Sequence, residues 1–305
     1  MSGHAGPRAP GTGATAHLGL VWLLLQSGPP VGVVVGRVTA VAWPGQQALA
    51  LALAQAVDGA APFPGVGPLP DRPIRVILAP SRATFDSLTA GRLPGWSEGA
   101  AFPDRGTVVL LSDRPSAGLA TALRHELAHL ALRARVRRPL PLWFEEGYAA
   151  VAAGEWDRLD ALRLNWQVAR GVQLDLDELD RMLRGDRPEA ATAYALATTA
   201  VLLLERWGGG HGLEPLIDHL TRDATLDLAL RHTYHVTEGD FEVRWQRDVA
   251  ARYGWLGWAS AVGLFWAALG LVLIWLVRLR RRRDRARRAL LDEGWTVSED
   301  DAPTA

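Results

Sequence analysis

The stretch TALRHELAHLALR, residues 121–133, sets two histidines four apart, with a glutamate directly after the first, inside a run of helical periodicity. Each residue advances about 100° around an α-helix, so side chains four apart stand one above the other on the same face. His125 and His129 can therefore aim their imidazoles at one point. Glu126, a step further round, cannot reach that point as a ligand, but it can touch a water bound there. This is the HExxH spacing, in which two histidines hold zinc and the glutamate takes a proton from the bound water. Two imidazoles alone bind zinc weakly, and a catalytic zinc has three protein ligands and an open position. A third ligand must lie downstream.

RRPLPLWFEEGYAAVAAG, residues 137–154, offers one. Its prolines predict a turn that reverses the chain, and a second helix begins near Pro141, since proline suits the first turn and the alanine-rich run favours helix. The second helix then returns beside the first, with Glu145 and Glu146 both within reach of the metal.

The pair RHELAHLAL and LWFEEGYAA resembles the gluzincin metallopeptidases, in particular the compact bacterial group called peptidase MA-like, and more distantly the zinc aminopeptidases and thermolysin. The resemblance covers about residues 37–253, because EAATAYALATTAVLLLERWGG, residues 189–209, is similar to the tyrosine-bearing helix of such domains. It implies a zinc peptidase in which Glu146, the glutamate before the glycine of W-x-x-E-G-x-A, is the third ligand beside His125 and His129. Glu126 is then the general base, and Tyr194 the donor that holds the oxyanion, with His211, His232 and His235 as competitors for that last role. The chain departs from thermolysin-like members at Ala150, where they carry an acid that orients a histidine. Some other partner must then hold the imidazoles.

Helix geometry also separates the two carboxylates, which point about 100° apart and cannot both face one metal. Glu146 shares its face with Leu142, Ala149, Ala150 and Ala153, whose mostly small side chains let the two helices approach, and Gly147 removes one more. Glu145 shares its side with Pro141, Tyr148 and Ala152, which makes it a solvent-facing or supporting group.

Around this pair the chain reads as one mixed domain. VGRVTAVAW and RPIRVILAP predict strands, GQQALALALAQAV a helix, and Ser81 the cap of a short helix through Thr89. GWSEGAAF and TVVLLS flank the turn PDRG as a hairpin, whose edge could pair with an extended peptide by strand addition. Beyond the metal helices, EWDRLDALRLNWQVARG, DLDELDRML and residues 190–206 predict helices, and Thr237 with Asp240 stands at a capping-box-like offset before a last one. Sheet first and helices after is the α+β pattern: a small N-terminal mixed β-sheet region packed on a mainly helical zincin-like metallopeptidase domain.

A chain of 305 residues, 49% of them apolar, can bury one substantial core and leave segments over. It has no cysteine, which excludes disulfides and thiolate metal sites. WLGWASAVGLFWAALGLVLIWLV, residues 255–277, is uncharged and long enough for a bilayer, with Trp255, Trp258 and Trp275 near its ends as interfacial anchors. The RLRRRRDRARR that follows predicts a cytoplasmic end. Its arginines read as a topology signal with anionic-lipid contact rather than a nucleic-acid site. LGLVWLLLQSGPPVGVVVG, residues 18–36, fits a secretory signal or a retained membrane segment.

The expected division is therefore a signal or membrane segment at 1–36, the peptidase domain at 37–253, a C-terminal transmembrane helix at 254–278 and an Arg-rich cytoplasmic tail at 279–305. That places the catalytic domain outside a bacterial cytoplasmic membrane, acting on a peptide or protein and touching the bilayer through residues 255–277. The alternative is a catalytically inactive or non-peptidase zinc-site domain serving as a membrane-anchored interaction protein.

Overall fold

The computed structural model describes residues 28–113, 116–156, 158–169, 171, 175–253 and 255–293. Residues 1–27, which hold most of the expected leader, lie outside the described residues. Within the 18–36 stretch, Val31–Val35 is strand β1, hairpin-paired with β2 at Val38–Ala42 through a turn at Gly36, where φ is 51°. Strands β3 (Ile74–Ala79) and β5 (Thr107–Leu111) continue the sheet in parallel, and β4 (Gly99–Phe102) closes it antiparallel to β5. The order is β1-β2-β3-β5-β4, so β4 is an edge.

Strand alternation divides the core in two. Val76, Leu78, Val108 and Leu110 belong to the main cluster, together with Leu53 and Val57 of helix α1 (Gln47–Asp58) and Leu123 and Leu127 of α3 (Ser116–Arg135). Their neighbours Ala79, Val109 and Leu111 pack instead with Phe85 of α2 (Arg82–Leu88). Ser81 caps α2 as expected, its Oγ accepting from the Thr84 N–H at 3.3 Å. PDRG makes the expected β4–β5 connection. Gly106 is required there, because φ is 57° and a Cβ would stand 2.7 Å from the Pro73 carbonyl oxygen.

Eight helices described after α3 build the rest: α4 (Leu142–Ala153), α5 (Arg158–Ala169), α6 (Leu176–Met182), α7 (Arg187–Trp207), α8 (Glu214–Arg222), α9 (Leu226–Tyr234), α10 (Glu238–Tyr253) and α11 (Trp255–Glu293). The Thr237–Asp240 box is formed at the start of α10, with the Asp240 N–H donating to Thr237 Oγ1 at 3.0 Å and the Thr237 N–H to Asp240 Oδ2 at 3.3 Å. Helix α4 has no local side-chain cap. Asp180 of α6 supplies one from a distance, accepting from the Leu142 N–H at 3.1 Å and the Trp143 N–H at 2.7 Å. A carboxylate there satisfies two orphan donors and complements the helix dipole. Behind α4, Trp143 stacks on Phe241 of α10 at 5.9 Å.

Gly147 serves a different neighbour from the one its sequence position suggests. A Cβ on it would stand 2.4 Å from the Ala197 carbonyl oxygen and 2.9 Å from Val201 Cγ2, both on α7. The glycine therefore sets the approach of α4 to α7. Gly147→Ala forces backbone apart and is expected to cost about 1–3 kcal/mol by overpacking. Gly118→Ala, where no atom lies within 4 Å of the new Cβ, is expected to be neutral or slightly stabilising. Urea denaturation of the two variants checks the contrast, and equal stabilities would contradict it.

The C-terminal part of the expected fold class is corrected. Residues Trp255–Glu293 form one helix, but among the described residues no helix is long and apolar enough to cross a membrane. Of the expected span at 255–277, side chains are described for residues 266–277. The side chains of 254–265, on which the rest of the expected span falls, lie outside the described residues, as does the end of the tail at 294–305. The described residues form an α+β domain of one five-stranded mixed sheet and surrounding helices, and no helix among them qualifies as a membrane span.

Candidate metal centre

Arg124, one residue before the first histidine, ties α3 to the end of α4. Its Nε donates to the Ala152 carbonyl at 2.6 Å, and its guanidinium lies 4.7 Å from the centre of the Phe63 ring. Tyr148 of α4 donates to the Pro64 carbonyl at 3.0 Å, holding the same loop. With the helices fixed in this way, His125 and His129 stand with ring centres 5.1 Å apart on one face of α3.

Both imidazoles turn towards Glu146. His125 Nε2 is 3.3 Å and His129 Nε2 3.6 Å from the same oxygen, Glu146 Oε2. The three side chains are mostly buried, at 12%, 16% and 16% exposure. Burial alone would raise the Glu146 carboxyl, but the charge of His129 and the hydrogen bond to His125 outweigh it and hold the group far below the usual carboxylate range. His125, His129 and Glu146 form a group that could hold a metal ion. Two ligands about 2.0–2.1 Å from a tetrahedral zinc stand roughly 3.3 Å apart, which is close to the two separations found.

Glu145 points elsewhere, with its Oε1 3.7 Å from Arg133 Nη1 on the rim of the cleft. Burial raises its carboxyl, and the Arg133 charge partly offsets that.

The orienting acid missing at Ala150 is supplied by Glu155. Its Oε1 is 3.1 Å from His125 Nδ1. A carboxylate accepting from Nδ1–H would leave the Nε2 lone pair free for a metal ion held by this group. Gly154 makes this possible: it caps α4 in the left-handed region, at φ 69°, and the turn brings the Glu155 N–H back to the Ala150 carbonyl at 3.1 Å. The sequence reading missed Glu155. The available signal was an acid directly after a glycine placed to end the helix that carries Glu146.

Glu126 lies against the edge strand. A Cβ at Gly99, the first residue of β4, would come within 2.4 Å of Glu126 Oε1, so a larger residue there would displace the carboxylate. Burial raises its pKa, opposed by the charges of His125 and His129. Tyr194 of α7 sits above, its ring 6.4 Å from that of His125 and edge-on to Trp96 at 6.1 Å. Burial first, then the negative charge of Glu146, push the phenol well above its ordinary value. It stays protonated at neutral pH and can donate.

All five expected site residues therefore face one cleft of about 1030 Å³, floored in part by Gly99, Ala100, Ala101 and Phe102 of β4. His211, His232 and His235 are not among the residues that line it. No family model matches the chain, and no curated protein matches it.

Proposed function

We propose that the chain is a zinc-dependent peptidase of the gluzincin type, with His125, His129 and Glu146 as the zinc ligands. The observation that carries this reading is the convergence of both imidazole Nε2 atoms on Glu146 Oε2, with Glu126 and Tyr194 facing the same cleft. Two imidazoles and a carboxylate, without sulfur and with space for a further ligand, are the donor set of a catalytic zinc. Bound zinc would supply Lewis acidity and bring the pKa of a water towards neutrality.

The protein groups do the rest. Glu126 accepts the proton from the attacking water and returns it to the leaving amine as the C–N bond breaks. Its burial raises its basicity in support of that role. Tyr194, held protonated, donates a hydrogen bond to the carbonyl oxygen as negative charge gathers there. Glu155 keeps the His125 ring in the tautomer that leaves Nε2 free. The edge strand β4 runs along the cleft, and an extended substrate segment can add to it as a further strand.

The test is metal removal. Chelation should abolish cleavage of an unstructured reporter protein, and Zn²⁺ should restore it, with mass spectrometry showing new peptide termini. Undiminished cleavage by the stripped chain, or no cleavage by the zinc-loaded chain across a broad peptide library, would overturn the proposal.

A further inference from the structure

A second group of convergent donors lies outside the cleft, at the junction of α8 and α9. His219 occupies the last turn of α8, and Asp223 is the residue that ends it, its N–H donating to the His219 carbonyl at 2.7 Å. Thr225 then caps α9, its Oγ1 accepting from the Leu228 N–H at 3.2 Å, so the chain reverses within a few residues. The reversal brings His232 of α9 back beside the end of α8. Asp223 Oδ2 is 3.3 Å from His219 Nδ1 and 2.9 Å from His232 Nδ1. The two rings are 5.4 Å apart and tilted by 42°.

An acid at a helix C-terminus opposes the helix dipole. Two imidazoles gathered on one of its oxygens offset that. A single His–Asp hydrogen bond would need only one of them. Three donor atoms within 4.8 Å of one another also have the spacing of metal ligands, and the separations of 2.9 and 3.3 Å stand beside 3.3 and 3.6 Å in the cleft. Asp223 is the most covered of the three, at 14% exposure, with the histidines reaching it from the solvent side.

From this geometry we infer a second metal site, with His219 Nδ1, His232 Nδ1 and Asp223 Oδ2 as ligands for a zinc-like divalent ion. Two nitrogens and one oxygen without sulfur favour Zn²⁺ over Ca²⁺ or Mg²⁺, which take oxygen sets. None of the three residues lines the cleft. The ion would act as a clip that fastens α9 to the end of α8, adding stability that the metal-free chain lacks.

Metal analysis of the full chain, stripped and then equilibrated with Zn²⁺, tests this independently of the proposed peptidase site. The wild type should hold two zinc ions per chain, His232→Ala one, His125→Ala one, and the double variant none. Zn²⁺ should also raise the melting temperature of His125→Ala but not of the double variant. If His232→Ala does not fold, Asp223→Asn keeps the side-chain shape and gives the same reading. One zinc in the wild type, lost in His125→Ala and kept in His232→Ala, would overturn the second site. The reverse pattern would support the second site and sink the first.

Discussion

Glu126→Gln is expected to lower kcat/KM for peptide hydrolysis by about 10²–10⁴-fold, the range for losing a positioned general base, while zinc uptake stays at the wild-type level. The two readouts separate because Glu126 stands beside the proposed ligands and is not in the group that could hold a metal ion. Its Oε1 lies against Gly99, in a space that a single methyl group would fill, and glutamine fits the same volume. What glutamine lacks is a lone pair basic enough to take the proton. The variant should fold normally, since replacing a buried carboxylate by an amide removes a desolvation cost. Measured side by side, cleavage of an unstructured reporter and metal content by elemental analysis decide the matter. A Glu126→Gln chain that cleaves at the wild-type rate would remove Glu126 from the mechanism, and one that loses zinc would make it a ligand.

The parts of this site that were legible in the sequence are those fixed by local geometry. His125 and His129 share a face because a helix repeats every 3.6 residues, and the Ser81 and Thr237–Asp240 caps follow from contacts three residues apart. The hairpin through PDRG was legible for the same reason. Glu155 was not, because its reach to His125 depends on the left-handed turn at Gly154 rather than on helical spacing. Asp180 caps a helix that begins 38 residues earlier in the chain, and no local rule pairs them.

Gly147 shows how a correct residue can carry the wrong partner. Its smallness was plain, but whether α3 or α7 uses the space is decided by packing. Residues 210–236, with the short helices α8 and α9, carried no motif that periodicity alone would raise, so the grouping of His219, Asp223 and His232 emerged only in three dimensions. The apolar run at 255–277 was legible as composition. Among the described residues no helix qualifies as a membrane span, and there the structure departs from the expectation.

Glu146→Ala is expected to weaken zinc binding in the cleft by more than the roughly 10- to 100-fold typical of losing a supporting partner, whereas Glu145→Ala should stay within that range. The neighbours look interchangeable in sequence, and their surroundings separate them. Glu146 Oε2 is the one atom approached by both imidazoles, at 3.3 and 3.6 Å, and its carboxyl is held ionised by them. Glu145 faces Arg133 at 3.7 Å on the rim, where its loss would leave an arginine that retains its contact with the Arg138 carbonyl. Removing Glu146 leaves two imidazoles, which hold zinc weakly on their own. Glu146→Gln separates charge from shape: it keeps an oxygen in place but not the anion, and should fall between the wild type and alanine. Competition titration with Zn²⁺ in a His232→Ala background isolates this site from the one at α8 and α9. If Glu145→Ala proved the more damaging of the two, the third ligand would be Glu145, and the face of α4 that meets α3 would have to be redrawn.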